Sequence, residues 1–359
     1  MSRQSPAVLA TLRDLVDPEL RRHVDGLHPL MREIARYHFG WDDAAGSGKA
    51  VRPALAVLGA RAVGARGDEP EVLAAACAVE LIHNFSLLHD DIMDKDRTRR
   101  HRPTAWTVYG TDQALLAGCA LQTLAFEVLA REGVRDTGRF AADGSAPPRD
   151  AEPRRARDPQ AALRALDSLG ASVQVLIAGQ SDDLALAEDP TATVEQCLAM
   201  EAGKTASLLS AAGSLGAIAY GADRGRTALL AEYGHHLGMA FQLVDDLLGI
   251  WGDPEVTGKP VAADLRARKR SAPVVAALCS GTPAGERLSV LYATAQELSE
   301  DDLQLAAKLV EESGGRVWAR ERADWHTDEA LARLDRLAPP PEALADLTEV
   351  TRFLLRREW

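Results

Sequence analysis

Residues 71–94 constrain the fold more tightly than any other stretch of this chain. From Glu71 to Leu88 the sequence is mostly Ala, Val, Leu, Ile and Cys. Such a run reads as one long helix apolar on nearly every side, which other helices must cover. It ends in His89-Asp90-Asp91-Ile92-Met93-Asp94. Asp90 and Asp94, at i and i+4, stack on one face, with Asp91 about 100° round. Carboxylates that close repel one another unless a cation sits between them or one stays protonated. Hard oxygen ligands with room for water and phosphate suit Mg²⁺. A solvated helix end is the bland alternative. The apolar run before the acids, and Arg99-Arg100 five residues after Asp94, argue against it.

A second stretch has the same grammar. Phe241-Gln242-Leu243-Val244-Asp245-Asp246 closes an apolar run and leads into Gly258-Lys259, Asp264 and Arg268-Lys269-Arg270. Basic residues recur beside both: Lys49, Arg52, Arg99, Arg100, Lys204, Lys259 and Lys269. Two acidic helix ends, each followed by cations, suggest a cleft in which metals neutralise a diphosphate above an apolar interior.

Composition supports an all-α chain. Hydrophobic residues make up 46% and aromatics 5% of 359 residues, and Ala, Leu and Val dominate, a palette that favours helices over sheets. The net charge of -12 argues against nucleic-acid binding through bulk charge. Cys77, Cys119, Cys197 and Cys279 form no CxxC and read as buried free thiols of a reducing, cytoplasmic setting. No secretory leader and no membrane span are expected.

The apolar periodicity predicts helices over residues 7–40, 54–63, 71–94, 113–131, 161–187, 194–212, 226–249 and 272–278, with more beyond 283. No strand pattern is convincing. Residues 133–159, rich in Gly, Pro, Arg and Asp, read as a mobile loop within a single domain spanning 1–359.

Gly48-Lys49-x-x-Arg52-Pro53, His83, Asp90-Asp91-x-x-Asp94 with Arg99-Arg100, Gly179-Gln180-x-x-Asp183, Gly203-Lys204-Thr205 and Phe241-Gln242-x-x-Asp245-Asp246 with Gly258-Lys259 occur in that order. Together they resemble the trans-polyprenyl diphosphate synthases, class I isoprenoid synthases of short-chain type. The resemblance implies a single large helical bundle around a deep central cavity, working as a cytoplasmic homodimer. It implies condensation of isopentenyl diphosphate with an allylic diphosphate through Mg²⁺-assisted ionisation, alkylation and proton loss. Asp90, Asp94 and Asp245 would ligate about three Mg²⁺ per site, with Mn²⁺ able to substitute. Asp91 and Asp246 would be ligands or supports. Arg99, Lys204 and Lys259 would grip the allylic diphosphate, with Lys269 reaching the same metal-bound group. Thr205 and Gln242 would line the cation's path, and Lys49, Arg52, His83 and Arg100 would hold isopentenyl diphosphate. Asp183 reads as structural.

Two departures stand out. The resembled family's second motif usually ends in a third aspartate, and Gly249 stands there. It often has Gly-Asp where this chain has Gly118-Cys119. One to two turns before Asp90, Ile82, Phe85 and Ser86 occupy the positions that would set product length. Small Ser86 should pass a C15 chain, so the expected product is geranylgeranyl diphosphate, with farnesyl diphosphate next. A class I terpene cyclase would need an Asn/Asp-x-x-Ser/Thr-x-x-x-Glu site that the Asp245 stretch lacks. A non-catalytic partner subunit would lose first-motif aspartates, and this chain keeps all three.

Overall fold

In the computed structural model, residues 6–42, 48–100, 102–134, 159–253, 261–294 and 297–355 are described. They are overwhelmingly helical, as composition predicts. The order is α1 (Ala7–Asp25), α2 (Pro29–Phe39), α3 (Val51–Ala62), α4 (Pro70–Met93), β1 (Thr98–Arg99), β2 (Arg102–Pro103), α5 (Ala105–Tyr109), α6 (Thr111–Val134), α7 (Pro159–Glu188) and α8 (Val194–Glu201). A π-helical segment, Ala202–Ala206, joins α8 to α9 (Ser207–Tyr220). There follow α10 (Arg224–Trp251), α11 (Ala263–Arg266), α12 (Ala272–Leu278), α13 (Pro283–Tyr292), α14 (Glu300–Glu312), α15 (Gly315–Leu337) and α16 (Pro341–Leu355).

Four expectations need correction. The helix foreseen over 7–40 is two, because Pro29 opens α2 and cannot continue α1 through Gly26. The polar loop after α4 contains a two-residue antiparallel ladder pairing Thr98 with Pro103 and Arg99 with Arg102. The helix foreseen over 194–212 is α8, a π-turn and α9. Three helices, Pro70–Met93, Thr111–Arg131 and Gln160–Ala187, have the length and mean hydropathy of a membrane span, against the expectation of none. For α4, 67% of that window is buried inside the protein, the state of a core helix.

The residues cluster into two compact units. The first comprises residues 1–171, 211–231 and 337–350, the second 172–210, 232–336 and 351–359. In the first, α4 packs chiefly along α6 and also against α3. Val72, Ala75, Ala76, Val79, Leu81 and Ile82 are sealed from solvent, as is α3 from Leu55 to Leu58. A fully buried aliphatic side chain contributes about 1.5–3 kcal/mol, so this helix anchors the unit. In the second unit, α10 lies tightly on the π segment and α9. A Cβ at Gly238 would stand 2.6 Å from the Ala206 Cα, and one at Gly234 2.2 Å from the Leu209 carbonyl oxygen. Glycine permits that approach of two backbones.

Candidate active site

The first unit carries the first acidic motif and a basic chamber. Asp90 and Asp91 lie in the last turn of α4, and Asp94 caps it. Their environments differ. Asp91 is sealed, with 1% exposure, and Arg99 Nε donates to its Oδ1 at 2.7 Å. Burial raises the Asp91 pKa, and the Arg99 contact works against that rise. The Asp90 side chain keeps 20% of its surface, 3.9 Å from Arg99, and Asp94 is exposed. Asp90 and Asp94 are therefore reachable from outside, while Asp91 holds Arg99.

Beside them, Arg52 Nη1 and His83 Nε2 lie 3.1 Å apart. Burial and the Arg52 charge push His83 well below its usual pKa, so its ring is neutral. Burial lowers Arg52 to about 10 while Glu80 opposes the shift, so Arg52 stays charged at neutral pH. The Glu80 carboxylate accepts from Asn84 Nδ2 at 3.0 Å one turn on. Gly48 leaves space for Arg100: a Cβ there would stand 2.6 Å from the guanidinium. Lys49 follows directly. Lys49, Arg52, His83 and Arg100 thus arise from α3, its approach, α4 and the β1–β2 turn, all within one unit.

Of the chain-length candidates, Ile82 is fully buried and Phe85 is 5% exposed. Phe85 meets His89 edge-on at 4.9 Å. His89 in turn reaches the Leu115 carbonyl on α6 at 3.0 Å, and Gly118 makes room for it. Gly118 thus serves α4–α6 packing, whereas Cys119, the residue that departs from the resembled pattern, is exposed. Ser86 Oγ donates to the His83 carbonyl at 2.8 Å.

The second unit carries the other motifs. The Gly179-Gln180 and Gly203-Lys204 elements explain each other: a Cβ at Gly179 would stand 2.2 Å from the Lys204 backbone nitrogen. That backbone contact between α7 and the π segment brings Lys204 Nζ to 2.5 Å from Asp183 Oδ2. Asp183, read from sequence as structural, is the acid that fixes the Lys204 amine. Thr205 Oγ1 donates to Gln242 Oε1 at 2.7 Å, and Gln242 Nε2 donates to Asp246 Oδ1 at 2.7 Å. The Ala272 amide at the start of α12 donates to Asp246 Oδ2 at 2.8 Å. Asp246 is 2% exposed, with both oxygens engaged. Asp245 is partly exposed.

Burial would lower Lys269, but Asp246, Asp264, Asp183 and Asp245 outweigh it and raise the pKa, so the ammonium persists. Glu201, buried one turn before Lys204, is raised well above the usual carboxylate range by burial and then by Asp246. Sequence reasoning missed Glu201 and Glu80, because a carboxylate inside a helix looks solvated until its neighbours are known. Lys259 and Gly258 lie outside the described residues, as do residues 135–158 of the expected loop.

Among the described residues no three His, Cys, Asp or Glu side chains converge into a ready-made metal cage. That donor set fits Mg²⁺, which is bound by one or two carboxylates together with substrate phosphates and water.

A sequence model of the polyprenyl synthetase family matches residues 29–310. A (2E,6E)-farnesyl diphosphate synthase of Mycobacterium tuberculosis is 40% identical over 367 aligned positions, covering 100% of this chain and 95% of the relative. A geranylgeranyl diphosphate synthase of the same organism is 40% identical over 358 positions, covering 98% and 94%. The crystal structure of a polyprenyl synthetase from Streptomyces coelicolor is 43% identical with a TM-score of 0.85, covering 98% of this chain and 100% of that one. The family pattern runs through both units and the relatives align almost end to end: this chain belongs to the polyprenyl synthetase family and is an enzyme of prenyl transfer.

Proposed function

We propose that this enzyme condenses isopentenyl diphosphate with an allylic diphosphate and releases geranylgeranyl diphosphate. The observation that carries the reading is a shared asymmetry of the two acidic pairs. In each, the second aspartate is buried and bonded to protein, Asp91 to Arg99 and Asp246 to Gln242 and the Ala272 amide. In each, the first, Asp90 or Asp245, keeps access. On this reading Asp90, Asp94 and Asp245 ligate Mg²⁺, while Asp91 and Asp246 hold Arg99 and Gln242 in place. Bound Mg²⁺ supplies neutralisation of the leaving diphosphate.

Arg99, Lys204, Lys259 and Lys269 bind the same diphosphate as fixed charges. Lys204, held by Asp183, and Thr205, held by Gln242, face the allylic carbon as the bond to oxygen breaks. Lys49, Arg52, His83 and Arg100 orient isopentenyl diphosphate for attack. The proton lost afterwards goes to the released diphosphate, so no protein base is needed. Apolar residues below exclude water from the cation. Small Ser86, with Ile82 beneath it and Phe85 turned onto His89, favours the C20 product over C15. The working form is a cytoplasmic homodimer of one synthase domain per chain, a reading favoured by the exposed Leu115 and Leu116 on α6.

The test is turnover of purified protein with Mg²⁺, isopentenyl diphosphate and geranyl or farnesyl diphosphate, with products sized by chromatography. Geranylgeranyl diphosphate is expected. Farnesyl diphosphate as end product overturns the length assignment, a cyclic hydrocarbon indicates a cyclase, and no turnover indicates a non-catalytic subunit.

A further inference from the structure

The C-terminal end of α2 belongs to none of the motifs above, yet it closes over the arginine turn. Tyr37 Oη donates to the Pro103 carbonyl at 2.8 Å. The Arg102 guanidinium lies over the Tyr37 ring, 4.4 Å from its centre, and Tyr109 meets that ring edge-on at 5.5 Å. The next residue, His38, thereby lines a cleft with Asp91, Arg99, Arg100 and Arg102. Three guanidinium groups and one carboxylate line the cleft, and that carboxylate already holds Arg99; Asp90 and Asp96 beside Arg99 and Glu80 beside Arg100 offset part of the remaining charge. The excess positive charge calls for an anion.

His38 Nε2 is sealed from solvent and has no hydrogen-bond partner among the described residues. Burial and the charges of Arg99, Arg100 and Arg102 depress its pKa to about 3, so the ring is a neutral imidazole. A buried ring nitrogen without a partner is a standing free-energy cost, which a ligand supplying that partner removes. In its Nε2–H form the ring donates one hydrogen bond to a phosphate oxygen; Asp91 Oδ2, which also lines the cleft and has no hydrogen-bond partner among the described residues, is the rival acceptor.

We propose that His38 is a binding residue for the diphosphate of isopentenyl diphosphate, lying behind Arg100 and donating from Nε2. This assignment rests on the proposed function for the identity of the substrate, and only on the cleft for the anion. Recognition of that substrate then involves α2, an element the motif pattern leaves out. His38 positions an oxygen that never leaves carbon, so its removal weakens binding and spares the ionisation step.

The experiment compares the wild-type full chain with His38→Phe, which keeps the ring's bulk, and His38→Gln, which keeps a donor. Expected for His38→Phe is a rise in KM for isopentenyl diphosphate of about tenfold, the share of one hydrogen bond to a charged group. The kcat and the KM for the allylic substrate stay within about twofold, and His38→Gln recovers most of the loss. Calorimetry with inorganic pyrophosphate and no metal reads the cleft without turnover, and His38→Phe binds it more weakly than wild type. An unchanged KM in a folded His38→Phe variant overturns the assignment. So does a loss in kcat alone, or an equal loss in both KM values with a lowered Tm, which marks a merely structural role. If no form turns over isoprenyl diphosphates but wild type binds pyrophosphate and His38→Phe does not, the proposed function fails and the anion cleft stands.

Discussion

Gly249 and Asp264 compete for one volume. A Cβ at Gly249 would stand 2.2 Å from Asp264 Oδ2 and 2.4 Å from its Cγ, and Asp264 is 8% exposed. The resembled family places an aspartate at 249; here a carboxylate reaches that spot from α11 instead. Restoring the acid is therefore predicted to harm. Gly249→Asp should lower stability by about 1–3 kcal/mol, as overpacking does, and should cut turnover; a melt and a kinetic assay check it, and a gain in activity would refute the account. The first motif behaves differently. Asp90→Ala or Asp94→Ala should reduce kcat at least about a hundredfold with an unchanged or slightly raised Tm, since carboxylate repulsion is relieved. Near-normal rates would remove the metal assignment. At this scale the sequence was legible where a residue's role follows from its own chemistry, as with Asp90 or Lys204. It was illegible where the role depends on a neighbour distant in the chain, as with Asp183 under Lys204 or Asp264 against Gly249.

At the scale of elements, glycine contacts and strained turns position the charged groups. The Gly179–Gly203 contact sets the distance between α7 and the π segment, and the π-turn aims Lys204 at Asp183. Gly203→Ala should cost about 1–3 kcal/mol and lose activity beyond what stability explains, because its Cβ would stand 2.9 Å from the Gly179 Cα. A combined melt and kcat measurement separates the two effects. Helical periodicity located α4, α7 and α10, since their apolar faces are long. It passed over the π-turn and α11, because an inserted residue and a four-residue helix leave no periodic trace. Ala262 and Arg268 hold left-handed φ values of 55° and 51°, on either side of Asp264 and next to Lys269. Ala262→Gly should raise stability by up to about 1 kcal/mol, read by denaturant titration.

For the whole molecule, histidines held neutral make folding pH-dependent. In the second unit, His236 Nδ1 and His326 Nδ1 share a 2.9 Å hydrogen bond between α10 and α15. Burial, then His236, Arg322 and His235, lower His326 to about 3. Around His236 stand His235, Arg333, Glu329 and Glu232. Above pH 6.5 neither the folded nor the unfolded chain protonates His326, so its contribution is flat. Below 6.5 the unfolded chain takes up a proton that the folded one refuses, and stability falls by about 1 kcal/mol per pH unit until the folded pKa is reached. His326→Phe should flatten the Tm profile between pH 6.5 and 4.5; an unaltered slope would contradict this. The buried acids Asp91, Glu80 and Glu201 have raised pKa values and act in the opposite sense, which is why the difference between variants is the informative quantity. The all-α architecture was legible from Ala-, Leu- and Val-rich composition, whereas the division into two compact units was not, because no linker composition marks it.

Asp90 and Asp245 are each proposed to couple Mg²⁺ to the binding of an allylic diphosphate. The direct measurement is the affinity of a non-ionisable allylic diphosphate analogue, with and without Mg²⁺, for wild type, Asp90→Ala and Asp245→Ala. Mg²⁺ is expected to tighten binding to wild type at least about tenfold, or about 1.4 kcal/mol, and each single variant to lose most of this gain. Full Mg²⁺-coupled affinity in either variant would contradict the proposal.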